Sequence, residues 1–71
     1  MPYNSEAFGI IIGRERARLG LTQEQLSALA EISRSHLAAL ESGRKIPRVD
    51  TLYKIAEALS FKPSTLIMMM E

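Results

Sequence analysis

Cysteine and tryptophan are absent from this chain, and histidine occurs once, at His36. Without thiols there are no disulfides, and a lone imidazole cannot assemble a zinc cluster. Disulfide and metal staples are therefore both excluded, and a thiol-free composition suits a reducing cytosol. Long apolar runs are also lacking. The stretches Ile10–Ile12 and Leu66–Met70 fall far short of the roughly 20 residues that a membrane span requires. A charged leader region of the secretory kind is missing as well. Catalysis is disfavoured by the same scarcity, because no nucleophile, base and orienting group can be drawn from one histidine and no thiol. There is no glycine-rich phosphate loop either. Seventy-one residues are too few to enclose a ligand pocket of several hundred cubic ångströms.

The length allows a single domain, residues 1–71, which buries only about 60–65% of its unfolded surface. Its stability has to come from tight helix packing or from a second copy. No segment shows the period-2 alternation of a strand, so the expected fold class is all-α, with five helices.

Residues 22–43, TQEQLSALAEISRSHLAALESG, organise the rest. Thr22 suits an N-cap and Gln25, three residues on, completes a capping box. Leu26, Leu29 and Ala30 follow at helical spacing. Ser33 is a second N-cap, Leu37 and Leu40 form the next apolar stripe, and Gly43 is placed to end it. Two helices this short cannot stand alone. Their spacing is that of a helix-turn-helix, whose second helix enters a DNA major groove.

Around this pair, the first helix is expected from Asn4 or Ser5 to Leu19, with Phe8, Ile12 and Leu19 inward and Ile10 and Ile11 off the stripe. Gly9 and Gly13 weaken it by about 1 kcal/mol each but permit a close helix contact. Pro47 blocks helix at Ile46. A fourth helix is expected from Asp50, as cap and favourable charge, with Leu52, Ile55, Ala56 and Leu59 buried. Phe61 plugs the core, and Pro63 opens a last helix.

Net charge is only +1, but it is unevenly placed. Residues 34–48 carry Arg34, Arg44, Lys45 and Arg48 against Glu41 alone, a local +3, while the remainder sums to −2. A basic patch on an otherwise slightly acidic body is a footprint for a polyanion.

Phe8-Gly9, Ile12, Arg16, LGLTQEQL (19–26), SRSHLAALESG (33–43), Pro47, LYKIAEAL (52–59) and Leu66 together resemble the Cro and phage-repressor (Xre) class of helix-turn-helix regulators. The segment SRSHLAALESGRK is further similar to restriction–modification controller proteins, which are small dimeric regulators. The resemblance implies a compact lambda-repressor-like domain, a cytoplasmic, nucleoid-associated setting in a bacterium or phage, and no cofactor, metal or small-molecule ligand. It departs from the family at Glu31, where glycine is usual at the corner; a side chain there costs about 1 kcal/mol. Arg16 and Glu41 are expected to meet as a partly buried ion pair.

For function, the expectation is a homodimer acting on an inverted repeat in double-stranded DNA. Ser33, Arg34, Ser35 and Ala38 would read bases, with Arg34 matching guanine O6 and N7. Thr22, Gln23, His36, Arg44, Lys45 and Arg48 would touch phosphates, the first two at the positive end of a helix. His36 serves equally as an ordinary surface residue. Pro63, Leu66, Ile67 and Met69 are the expected dimer joint, although Leu66 fits an internal core role as well. An activator would present Glu24 to RNA polymerase. The alternative is an antitoxin-type interaction module, which binds a partner protein as well as its own operator.

Overall fold

The computed structural model describes residues 4–69, and Asn4 sets its first helix. The Asn4 side chain accepts from the Ala7 amide at 3.1 Å, capping α1 (Ser5–Arg18). Then come α2 (Gln23–Ala30), α3 (Arg34–Glu41), α4 (Val49–Ala58) and α5 (Pro63–Met69), with no strand among the described residues. The body measures 30 × 23 × 21 Å.

Thr22 and Gln25 form the capping box reciprocally, with distances of 3.0 and 2.8 Å. Ser33 caps α3 through the His36 amide at 3.1 Å. The α4 start differs from expectation. Its N-cap is Arg48, which makes no side-chain cap bond, and Asp50 lies one residue inside the helix. Its carboxylate still opposes the dipole but does not cap.

Four helices end on a left-handed residue, and each time two amides turn back onto carbonyls of the last turn. Gly20 and Gly43 do this at φ 72° and 81°. Glu31 and Ser60 do it at φ 59° and 63° with side chains that resist it. Glu31 was anticipated from the missing glycine; Ser60 was not, because serine is unremarkable after a helix.

Phe8, Ile12, Leu26, Leu37, Leu40, Leu52, Ile55 and Leu66 are fully buried and form one core with Ala30, Ala56 and Leu59. Each large side chain withdrawn from water contributes about 1.5–3 kcal/mol. Phe61, Ile11 and Ile67 pack half-buried against its rim.

Two expected core residues lie outside. Leu29 is exposed because the α2 stripe is Leu26, Ser27 and Ala30. At about 100° per residue, Leu29 stands roughly a quarter-turn from the centre of that stripe. Leu19 is exposed because α1 ends at Arg18, which leaves it on the cap.

Helix α1 crosses the end of α3 closely enough that only glycine fits. A Cβ on Gly9 would lie 2.4 Å from the Glu41 carbonyl oxygen and 2.7 Å from that of Leu40. Helix α2 packs on both α3 and α4, and α5 closes over α4. The outcome is that α1 and α2 hold α3 by its inner side, with α4 and α5 behind α2.

Candidate nucleic-acid interface

Helix α3 is held by Leu37 and Leu40, both fully buried. Opposite them, at helical spacing, stand Arg34 and Ser35, exposed, with Ala38 and Ala39 half-buried. This face is cationic at its start and then nearly flat. Ser33 precedes it with its oxygen committed to the cap, 3.3 Å from the Ser35 hydroxyl. One hydroxyl donates to the other, so the pair keeps a single proton to donate outward. His36 is half-buried on the flank of α3, between the outward and inward faces.

The N-terminus of α2 is only partly closed. The capping box serves the Gln25 and Thr22 amides, and the amides of Gln23 and Glu24 have no partner among the described residues. Unpaired N–H groups at a helix start carry partial positive charge and accept anions. Thr22, like Ser33, has its oxygen occupied by the cap.

Gln23 is not the free surface residue its position suggests. Its Nε2 donates to Glu41 Oε1 at 3.1 Å. The same carboxylate takes Arg16 Nε on Oε2 at 2.7 Å and Arg16 Nη2 on Oε1 at 3.0 Å. Arg16 Nη1 donates further to the Leu21 carbonyl at 2.8 Å. The Arg16–Glu41 pair therefore ties α1, the α1–α2 corner, the start of α2 and the end of α3 together. The hydrogen bonds Arg16 donates to Glu41 raise its pKa, against burial, which lowers it; the attraction of the carboxylate adds to the rise. Side-chain exposures of 21% for Arg16 and 9% for Glu41 place the pair between surface and interior. The tie to Gln23 is invisible in sequence because its partner is eighteen residues away.

This pair also changes the electrostatics of the basic stretch. Glu41, its single acid, is turned inward and neutralised by Arg16. Arg34, Arg44, Lys45 and Arg48 are thus left as four exposed cations. Arg48 lies 3.8 Å from Asp50, but exposures of 87% and 66% leave that contact screened by water. Arg44 is steadied by donating from Nε to the Ser42 hydroxyl at 2.9 Å, and Ser42 bonds back to the Ala39 carbonyl. Sequence reading overlooked Ser42, whose place between the helix end and Gly43 was the available signal.

The expected dimer joint is divided. Leu66 is fully buried in the core and so is withdrawn from any outer surface. Ile67 and Pro63 are half-buried, while Met69 is 44% exposed. No helix among the described residues is long and apolar enough to cross a membrane.

A family model described as helix-turn-helix matches residues 12–66. An uncharacterized HTH-type transcriptional regulator, y4dJ, of Sinorhizobium fredii is 45% identical over 53 residues, covering 69% of each chain. Another, of Methanothermobacter thermautotrophicus, is 41% identical over 49 residues, 69% of this chain and 71% of that one. Among solved structures, the restriction-modification controller protein C.AhdI of Aeromonas hydrophila superposes with a TM-score of 0.83 at 31% identity, over 87% of this chain and 94% of its own. The clp gene regulator ClgR of Corynebacterium glutamicum gives 0.84 at 28% identity, over 97% and 90%.

Proposed function

Because this chain belongs to the Xre-type helix-turn-helix family of transcription regulators, we propose that it binds double-stranded DNA sequence-specifically as a homodimer on a short inverted repeat. The observation that carries this is the outward face of α3. Its first turn presents Arg34 and Ser35 and its second presents only Ala38 and Ala39, so the helix can sink into a groove without obstruction. In the major groove each base pair offers a distinct donor and acceptor pattern, and the Arg34 fork matches guanine. The Ser33 and Ser35 hydroxyl pair bonds to neighbouring base edges, and Ala38 lies against a thymine methyl.

Phosphate contacts position the helix. The open amides of Gln23 and Glu24, with Thr22 and the Gln23 side chain, receive one phosphate at the α2 start. Arg44, Lys45 and Arg48 lie along the backbone next to α3, with His36 at its flank, and they supply affinity without base information. One helix reads only a few base pairs. Two copies, with recognition helices about 34 Å apart, read two half-sites on one face of the duplex. The likeness to a restriction-modification controller supports the narrower reading of the chain as a regulator of that kind.

Selection of bound duplexes from a random pool tests the whole reading. It should return a two-fold symmetric motif with guanine facing Arg34. Equal retention of all sequences at moderate salt would overturn it.

A further inference from the structure

Three large apolar side chains remain exposed between the basic loop and the middle of α4: Ile46 at 63%, Val49 at 61% and Tyr53 at 54%. Single exposed apolar residues are ordinary, but neighbouring ones form a patch. Val49 and Tyr53 stand one turn apart on the same side of α4. Tyr53 also divides two adjoining depressions. One is lined by Arg48, Val49 and Asp50, and the other runs past Glu57 to Phe61 and Pro63 at the start of α5. Together they make a shallow groove down α4, with an apolar floor and a charged border.

We propose that this groove seats the same groove of a second copy across a two-fold axis, α4 against α4. The proposal rests on the homodimeric reading above and assigns its surface. The border argues for a copy of the chain rather than for another partner. Along α4, Asp50, Lys54 and Glu57 form an acid–base–acid row on one helical stripe, beside the Val49–Tyr53 stripe. A two-fold interface brings a patch against itself, so it must carry both signs. An antiparallel crossing centred near residue 52 sets Asp50 of each row against Lys54 of the other and brings Glu57 toward the Arg48 end. A strongly acidic or basic partner would meet its own sign on this border. Position agrees, since the groove begins at Arg48, the last cation of the loop, so a copy seated there lies beside the duplex. The α5 end is a poorer joint: Leu66 is consumed by the core, and α5 itself, Pro63–Met69, carries no charged side chain to set a register.

Sedimentation of the full chain over a concentration series tests this with Tyr53→Asp, Lys54→Glu and Met69→Asp. Tyr53 and Met69 are both exposed, so neither change disturbs the core, and circular dichroism checks that each variant folds. Tyr53→Asp should weaken association by about a hundred-fold or more, as for a charge placed in the centre of an interface, and Lys54→Glu by about ten-fold. Met69→Asp should leave it unchanged. A folded Tyr53→Asp that dimerises like the parent overturns the groove assignment while leaving the homodimer in place. A parent chain that stays monomeric, both free and on DNA, overturns the homodimer and the groove together. A monomer carrying a foreign chain that Tyr53→Asp releases assigns the groove to that chain and likewise overturns the proposal.

Discussion

Substituting methionine for Arg16 should destabilise this domain by about 3 kcal/mol, near the lower limit for a broken buried ion pair. Two features set that figure. Glu41 is only 9% exposed, so its carboxylate loses two charge-assisted bonds and keeps only the single Gln23 donor. Arg16 is 21% exposed, so water reaches part of the vacated space and the penalty stays below that of full burial. The Leu21 carbonyl loses its donor too, which loosens the α1–α2 corner. For a domain of this size 1 kcal/mol corresponds to about 4–8 °C, so the melting temperature should fall on the order of 15 °C. The cost comes from a stranded carboxylate rather than a lost contact, and a second variant separates the two. Arg16→Met combined with Glu41→Met removes both charges and should recover more than half of the loss, giving a favourable coupling in a double-mutant cycle. Thermal unfolding by circular dichroism of the four proteins is the assay. An Arg16→Met midpoint within about 2 °C of the parent would refute the argument. So would a double variant as unstable as the sum of the single ones.

Gly9→Ala should cost about 2 kcal/mol or more in denaturant unfolding, because its Cβ would meet the Glu41 and Leu40 carbonyl oxygens and backbone cannot yield cheaply. Glu31→Gly, at φ 59°, should instead stabilise by about 1 kcal/mol, and a fall in melting temperature would count against strain at that corner. Leu66→Ala should lose about 2–5 kcal/mol while Met68→Ala, 71% exposed, changes little, which calorimetry resolves directly. On DNA, Arg34→Ala should relax preference at one base pair by about 1–3 kcal/mol, whereas Lys45→Ala should weaken all sequences alike and lower the salt slope by about one. Fluorescence anisotropy across salt concentrations and single-base operator variants reads both effects.

Local physics carried far in this chain. Capping is a matter of a few adjacent residues, so Thr22, Gln25, Ser33 and Gly43 could be placed from their spacing alone, whereas the αL corner at Glu31 came from the family resemblance. The inward stripes of α3 and α4 were legible for the same reason: helical periodicity is set by neighbours three and four residues away. Helix ends were less legible. Leu19 continues the α1 pattern, but Gly20 halts the helix first; Asp50 looks like a cap, but the chain leaving Pro47 turns helical at Val49.

What the amino-acid order determined by itself, then, was the set of five helices, the corner between α2 and α3 and the basic stretch beside them. Which side of each helix remained free was decided by three-dimensional packing, because burial depends on what another part of the chain brings opposite. Leu29 and Leu66 are both apolar and helical, yet one faces water and the other is sealed in the core. Likewise the meeting of Arg16, Gln23 and Glu41 turns the acid of the basic stretch inward and leaves four exposed cations there, a balance between groups far apart in sequence that only the folded chain sets.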